Sequence, residues 1–172
     1  MSNIVITYFE PFGNRDTNAS KEVVSLLDGY ITKELPVSWS KIPSFIDEIL
    51  SNKPDYLFLV GEAGSYQEIT IERTAHNVSN GIDNEGVNRD NELIIVGDKE
   101  GKTTLFDLSK LPYRISDNAG KYLCNYIYYL ALSKSTNTKV LFIHLPYIDT
   151  EGPNSIDNLK DDLLNIINNL IK

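Results

Sequence analysis

The sequence predicts an α/β fold, with helices on both faces of a largely parallel sheet. Three observations carry this reading. Short, nearly continuous apolar runs recur at 4–9, 56–60 and 140–144. Runs rich in β-branched and aromatic residues suit strands buried on both faces. Segments with helical apolar spacing lie between them, and such alternation implies helices packed on both sides of one sheet. Glycine-bearing turns follow two of the strands, FEPFG at 9–13 and GEAG at 61–64. Sites in open α/β sheets form at the carboxyl ends of strands, where such turns lie.

Taken in order, 4–9 is a buried strand, and 20–27 is a helix with Val23, Val24 and Leu27 on one face. Residues 43–50 form a second helix, with Pro43 in its first turn and Phe45, Ile46, Ile49 and Leu50 inward. After the strand at 56–60, residues 69–74 alternate apolar and polar, as a strand with one wetter face does. Asp117 or Asn118 can cap a long helix reaching about Ser133. The strand at 140–144 precedes a last helix at 155–171. Its apolar stripe is Ile156, Leu159, Leu163, Ile166, Ile167 and Leu170.

At 172 residues the chain has a one-domain length, so 1–172 is read as a single domain. Hydrophobic residues make up 41% and charged residues 23%, which excludes a disordered or coiled-coil chain. No apolar run reaches the roughly 20 residues of a membrane span, and the first residues lack a secretory signal pattern. The net charge of −8 repels phosphate backbones, so neither nucleic acid nor membrane is an expected partner. Cys124 is the only cysteine, and His76 and His144 are the only histidines. One thiol makes no internal disulfide, and a zinc site needs more ligands; no metal or cofactor is expected, and a cytoplasmic location is.

Four features could carry chemistry. Cys124 lies near the start of a predicted helix, in SDNAGKYLCN. It is either a small buried hydrophobe or a nucleophile whose pKa the helix dipole lowers. His144 ends a buried strand, either as a satisfied core imidazole or as the base for that thiol. Glu72, in ITIER, is either a solvated strand residue or the group that orients the imidazole. Phe9 and Phe12 flank one turn, as core residues or as walls for a flat ligand. His76 has no strand-end placement and is read as structural. The Tyr122, Tyr126, Tyr129 spacing is read as helix packing.

Together these pieces resemble the pyroglutamyl peptidase I family of cytosolic cysteine peptidases. The resemblance rests on FEPFG at 9–13, LPV at 35–37, PDYLFLVGEAG at 54–64, ITIER at 69–73, DNEG at 83–86, SDNAGKYLCN at 116–125 and FIHLPY at 142–147. It implies a single α/β/α sandwich with a mixed, mainly parallel sheet. It also implies a triad of Cys124, His144 and Glu72. Phe9 and Phe12 would flank a pyrrolidone ring, with Glu62 and Leu123 as further substrate contacts. The substrate would be a small peptide with a blocked N-terminus, and self-association into a small homo-oligomer is expected.

The chain departs from that pattern in places. Only 109–115 separates LFDL from SDNAG, where the family places a whole helix. No arginine stands in 79–82 before DNEG, and Tyr126 follows CN where the family has histidine. Glu62 replaces a glutamine in the turn. An ionised carboxylate accepts hydrogen bonds only, so it would repel a ring carbonyl and favour an amine, unless the backbone of residue 62 makes the contact. A related cysteine amidohydrolase with another small substrate, and a binding protein that retains the fold, stand as the alternatives.

Overall fold

The computed structural model describes residues 2–171. Fourteen elements follow one another: β1 (Ile4–Phe9), α1 (Ala19–Val24), β2 (Ile31–Leu35), α2 (Ile42–Ser51), β3 (Tyr56–Glu62), β4 (Thr70–Glu72), β5 (Thr74–His76), β6 (Ser79–Ile82), β7 (Asn88–Glu92), β8 (Gly101–Thr103), β9 (Arg114–Ser116), α3 (Leu123–Lys134), β10 (Lys139–Leu145) and α4 (Ile156–Leu170). The main sheet has the order β2-β1-β3-β10-β4-β9. Every pair in it is parallel except β10 with β4. The expected α/β sandwich with a mixed, mainly parallel sheet is the fold observed.

Period-two alternation divides the core into two layers. Along β10, Val140 and Phe142 face α2 and α3, whereas Leu141, Ile143 and Leu145 face α1 and α4. Along β3, Leu57 and Leu59 face the first side, and Phe58 and Val60 the second. The same alternation assigns the polar residues at the strand ends. His144 continues the Val140–Phe142 side toward α3, and Glu62 continues the Phe58–Val60 side toward α1.

Two expectations about local structure are corrected. The strand predicted over 69–74 is interrupted at Arg73. β4 joins the main sheet, while β5 pairs with β8 in a separate two-stranded sheet. The Arg73 backbone makes the turn through its N–H to Ser116 O and its carbonyl to the Thr104 N–H. The helix predicted from Asp117 or Asn118 starts instead at Leu123, with Tyr122 as N-cap. Asn118 Oδ1 accepts the Gly120 N–H at 3.0 Å, and Gly120 has φ +81°. That side-chain turn competes with the helix, which therefore begins after it.

This late start places Cys124 in the first turn of α3. Residues 123–131 of the helix are all buried. The main sheet lies on one side of α3, and α2, β5 and β8 cover others. Asn125 ties this covering layer down. It accepts the His76 N–H at 2.9 Å and donates to the His76 and Val78 carbonyls at 2.8 and 2.9 Å. Tyr128 donates to Glu72 O at 2.8 Å, which fixes α3 against β4. Asn125→Ala strands these buried groups, so unfolding in urea is expected to show a loss of about 1–3 kcal/mol. An unchanged midpoint would contradict the role given to Asn125.

Candidate active site

Glu72 is fully buried at the end of β4, and His144 is buried near the end of β10. In the antiparallel β4–β10 pair, Glu72 stands opposite Phe142, and Thr70 opposite His144. Glu72 is therefore a diagonal neighbour of His144 on the α3 face. Its Oε1 lies 2.8 Å from His144 Nδ1. A carboxylate only accepts, so Nδ1 carries a proton in this contact, and in the neutral ring the acceptor is Nε2.

Cys124 and His144 line one cavity of about 350 Å³. Its other walls include Phe12, Glu62, Tyr66, Asn118, Gly120 and Tyr122. It opens at the carboxyl ends of β1, β3 and β10. Gly61, on the α3 face of β3, makes room for the thiol. A Cβ there would lie 2.8 Å from Cys124 Sγ and 2.7 Å from the Phe142 ring. Both contacts are closer than packed atoms tolerate. Gly61→Ala is thus expected to displace the thiol and lower kcat by at least tenfold, as displacement of a reacting atom does. Wild-type kcat in Gly61→Ala would reject this account of Gly61.

The electrostatics of the thiol differ from the sequence expectation. Burial pushes the Cys124 thiol well up, and the negative charge of Glu72 adds to that. Its own backbone N–H opposes the shift, and Glu62 adds a further rise. Desolvation of the anion is the largest of these effects. The direction of the shift favours the neutral thiol over the thiolate in the resting site. Alkylation by iodoacetamide is expected to keep accelerating as pH rises past the free-thiol value of about 8.5. A plateau reached below neutral pH would instead indicate a thiolate stabilised by the helix start.

The remaining candidates separate. Phe12 is on the cavity wall, 5.8 Å from the Tyr122 ring in a tilted contact. Phe9 and Leu123, each 1% exposed, lie in the core rather than on the wall. Phe9 closes β1 from inside, and Leu123 turns from the cavity at the start of α3. Tyr122, expected as helix packing, caps the helix and faces the cavity, with its hydroxyl donating to Ile82 O at 2.7 Å. His76 lies outside the cavity, its Nε2 2.7 Å from Asp117 O.

Glu62 reaches the cavity wall, but its carboxylate is engaged elsewhere. Oε2 accepts the Ala19 N–H at 2.7 Å and Arg15 Nη2 at 3.2 Å, and Oε1 lies 3.0 Å from Arg15 Nε. The Arg15 guanidinium stacks 3.9 Å from the centre of the Tyr147 ring. The charge is neutralised by an arginine and the start of α1, because the alternation of β3 points residue 62 away from α3. The expected repulsion of a ring carbonyl loses its source. Among the described residues, no group of three His, Cys, Asp or Glu side chains is placed to hold a metal ion.

The site's most consequential unforeseen residue is Tyr66. Its hydroxyl donates to Glu72 Oε1 at 2.9 Å, and its ring meets the His144 ring edge-on at 5.6 Å. Only its position six residues before Glu72 marks it in the sequence.

The sequence model described as pyroglutamyl peptidase matches residues 2–160. The chain is 33% identical to a pyrrolidone-carboxylate peptidase of Fusobacterium nucleatum, over 97% of this chain and 88% of the relative. It is 34% identical to one from Thermosipho africanus, over 98% and 97%. The crystal structure of pyrrolidone carboxyl peptidase from Thermus thermophilus superposes with a TM-score of 0.84 at 27% identity, covering 93% of this chain and 96% of that one. A mutant pyrrolidone carboxyl peptidase from Pyrococcus furiosus gives 0.85 at 29% identity, covering 96% of each. The chain belongs to the pyroglutamyl peptidase family.

Proposed function

We propose that residues 1–172 form one catalytic domain that removes an N-terminal pyroglutamyl residue from peptides, with Cys124 as nucleophile, His144 as base and acid, and Glu72 as its orienting partner. The observation that carries this reading is the buried Glu72–His144 hydrogen bond behind a cavity that holds the thiol. Phe12 and Tyr122 offer apolar faces for a flat lactam ring. The backbone of residue 62, at the open end of β3, would meet the lactam's paired donor and acceptor.

Chemistry follows from the resting protonation states. As Cys124 Sγ bonds to the pyroglutamyl carbonyl carbon, its proton passes to His144 Nε2. Glu72 accepts from Nδ1 and stabilises the imidazolium so formed. Unpaired backbone N–H groups in the first turn of α3 would hold the oxyanion. On collapse the carbon–nitrogen bond breaks, and Nε2–H protonates the departing amine. Water, deprotonated by His144, then cleaves the thioester, releasing pyroglutamate and restoring the thiol.

Turnover of a fluorogenic pyroglutamyl amide tests this directly. Wild type is expected to hydrolyse it, Cys124→Ala to be inactive, and Glu72→Gln to retain more activity than His144→Ala. Activity of Cys124→Ala equal to wild type would reject the mechanism. Glu62→Gln keeps an acceptor for Ala19 but loses the charge partner of Arg15, whose side chain is 37% exposed. Screened accordingly, the loss of stability is about 1 kcal/mol or less. On pyroglutamyl substrate its kcat/KM is expected to stay within roughly threefold, less than one hydrogen bond to a charged group is worth. A tenfold gain on pyroglutamyl substrate would show that the Glu62 charge does reach the ring.

The coarser parts of the proposal have separate supports. No helix among the described residues is long and apolar enough to cross a membrane. With a net charge of −8, peptides rather than nucleic acids fit as substrates, and a cytoplasmic location suits a lone unpaired thiol. Self-association into a small homo-oligomer is part of the same proposal, and light scattering on the pure protein decides it.

A further inference from the structure

Glu72 is poorly provided for as a buried carboxylate. One oxygen, Oε1, takes both hydrogen bonds, from His144 Nδ1–H and from the Tyr66 hydroxyl. The other, Oε2, is buried without any hydrogen-bond partner. A buried charge with so few donors is costly, and each remaining donor matters more.

The Tyr66 hydroxyl has one proton and three oxygens within reach, Glu72 Oε1 at 2.9 Å, Asn118 O at 3.1 Å and, at the longest distance, Ser116 Oγ at 3.5 Å. Asn118 O has a second donor in Ser116 Oγ at 3.3 Å. The ionised carboxylate is the stronger acceptor, so the tyrosine proton goes to Glu72 and the serine proton to Asn118. Burial and the neighbouring carboxylate raise the Tyr66 pKa, which keeps the phenol a donor. Arg114 covers the other side of the ring, with Cζ 4.7 Å from its centre.

We propose that Tyr66 is a positioning residue that fixes Glu72 against His144 and, by sharing Oε1, limits how strongly Glu72 favours the imidazolium. The proposal rests on the peptidase reading for its kinetic consequence but not for its electrostatic one. The titratable and charged groups around the pair are Cys124 and Tyr128 from α3, the latter bonded to the Glu72 carbonyl, and Arg114 from β9 over the Tyr66 ring; Glu62 and its partner Arg15 lie on the opposite face of the sheet. Tyr66→Phe leaves all of these in place and retains the ring against His144. It removes one donor, so Oε1 carries more unshared charge toward Nδ1–H.

The sign follows. With less of its charge shared, Glu72 favours protonated His144 more strongly. The enzyme needs neutral His144 to accept the thiol proton, so the acid limb of the kcat/KM profile moves to higher pH in Tyr66→Phe. A shift of about one unit is the scale expected for one charge-assisted hydrogen bond after compensation. The freed carboxylate also orients the imidazole less well, so kcat at the optimum falls roughly tenfold, with KM within about threefold.

Two measurements on the full chain decide the matter. The first is the pH profile of pyroglutamyl amide hydrolysis by wild type and Tyr66→Phe. The second is the NMR titration of the two histidines, with His76→Asn to assign them. The titration needs no substrate, so it decides the proposal even if wild type fails to turn over the amide and the peptidase reading falls. An upward shift of the His144 midpoint in Tyr66→Phe is the expected result. Coincident His144 titrations would overturn the proposal. So would an activity loss equal at every pH with unmoved limbs, which is what a packing role alone predicts.

Discussion

The structure turns on one hydrogen bond, between a carboxylate with no solvent contact and an imidazole on the neighbouring strand. Glu72 cannot be buried alone, because an unpaired carboxylate in that setting costs several kcal/mol or takes up a proton. The β4–β10 pairing supplies His144, and the loop after β3 supplies Tyr66. The antiparallel step between these strands matters, because it sets Glu72 diagonal to His144 on the same face. Once the pair is fixed there, His144 lines the cavity with Nε2 as the ring nitrogen that Glu72 does not engage.

The thiol side of the site follows from packing rather than charge. α3 is enclosed by the main sheet and by the layer that Asn125 ties to it. Cys124, in the first turn of this enclosed helix, lies over the missing side chain of Gly61. That enclosure raises the thiol pKa, and in the proposed mechanism His144 removes the proton as the sulfur attacks. A buried neutral thiol has a physical advantage: it stays protonated, and less open to oxidation, until a substrate and a base act together.

Much of this was legible in the residues. The runs at 4–9, 56–60 and 140–144 are strands because continuous apolar β-branched segments admit few other solutions in a chain of this length. The order of motifs from FEPFG to FIHLPY singled out Cys124, His144 and Glu72, which the fold brings together as a hydrogen-bonded Glu72–His144 pair and a thiol on the same cavity. What escaped was decided by tertiary or very local geometry. The break at Arg73 depends on hydrogen bonds to Ser116 and Thr104, distant in sequence. The late start of α3 depends on an asparagine side chain competing with the helix. Glu62 read as a pocket charge because its motif lies by the site. The alternation of β3, and an arginine from the loop between β1 and α1, decide where its carboxylate goes. Phe9 and Phe12 look equivalent in FEPFG, yet one strand-end residue faces the core and the other the cavity.

In the proposed mechanism the Cys124 sulfur, activated by the Glu72–His144 pair, takes the pyroglutamyl group from a peptide. The most direct measurement is mass spectrometry of the acid-quenched enzyme during turnover of an activated pyroglutamyl ester. One added pyroglutamyl group is expected on the peptide that contains Cys124, and none in Cys124→Ser quenched the same way. Turnover with no acyl group on any residue, or with the group on a residue other than Cys124, would contradict it.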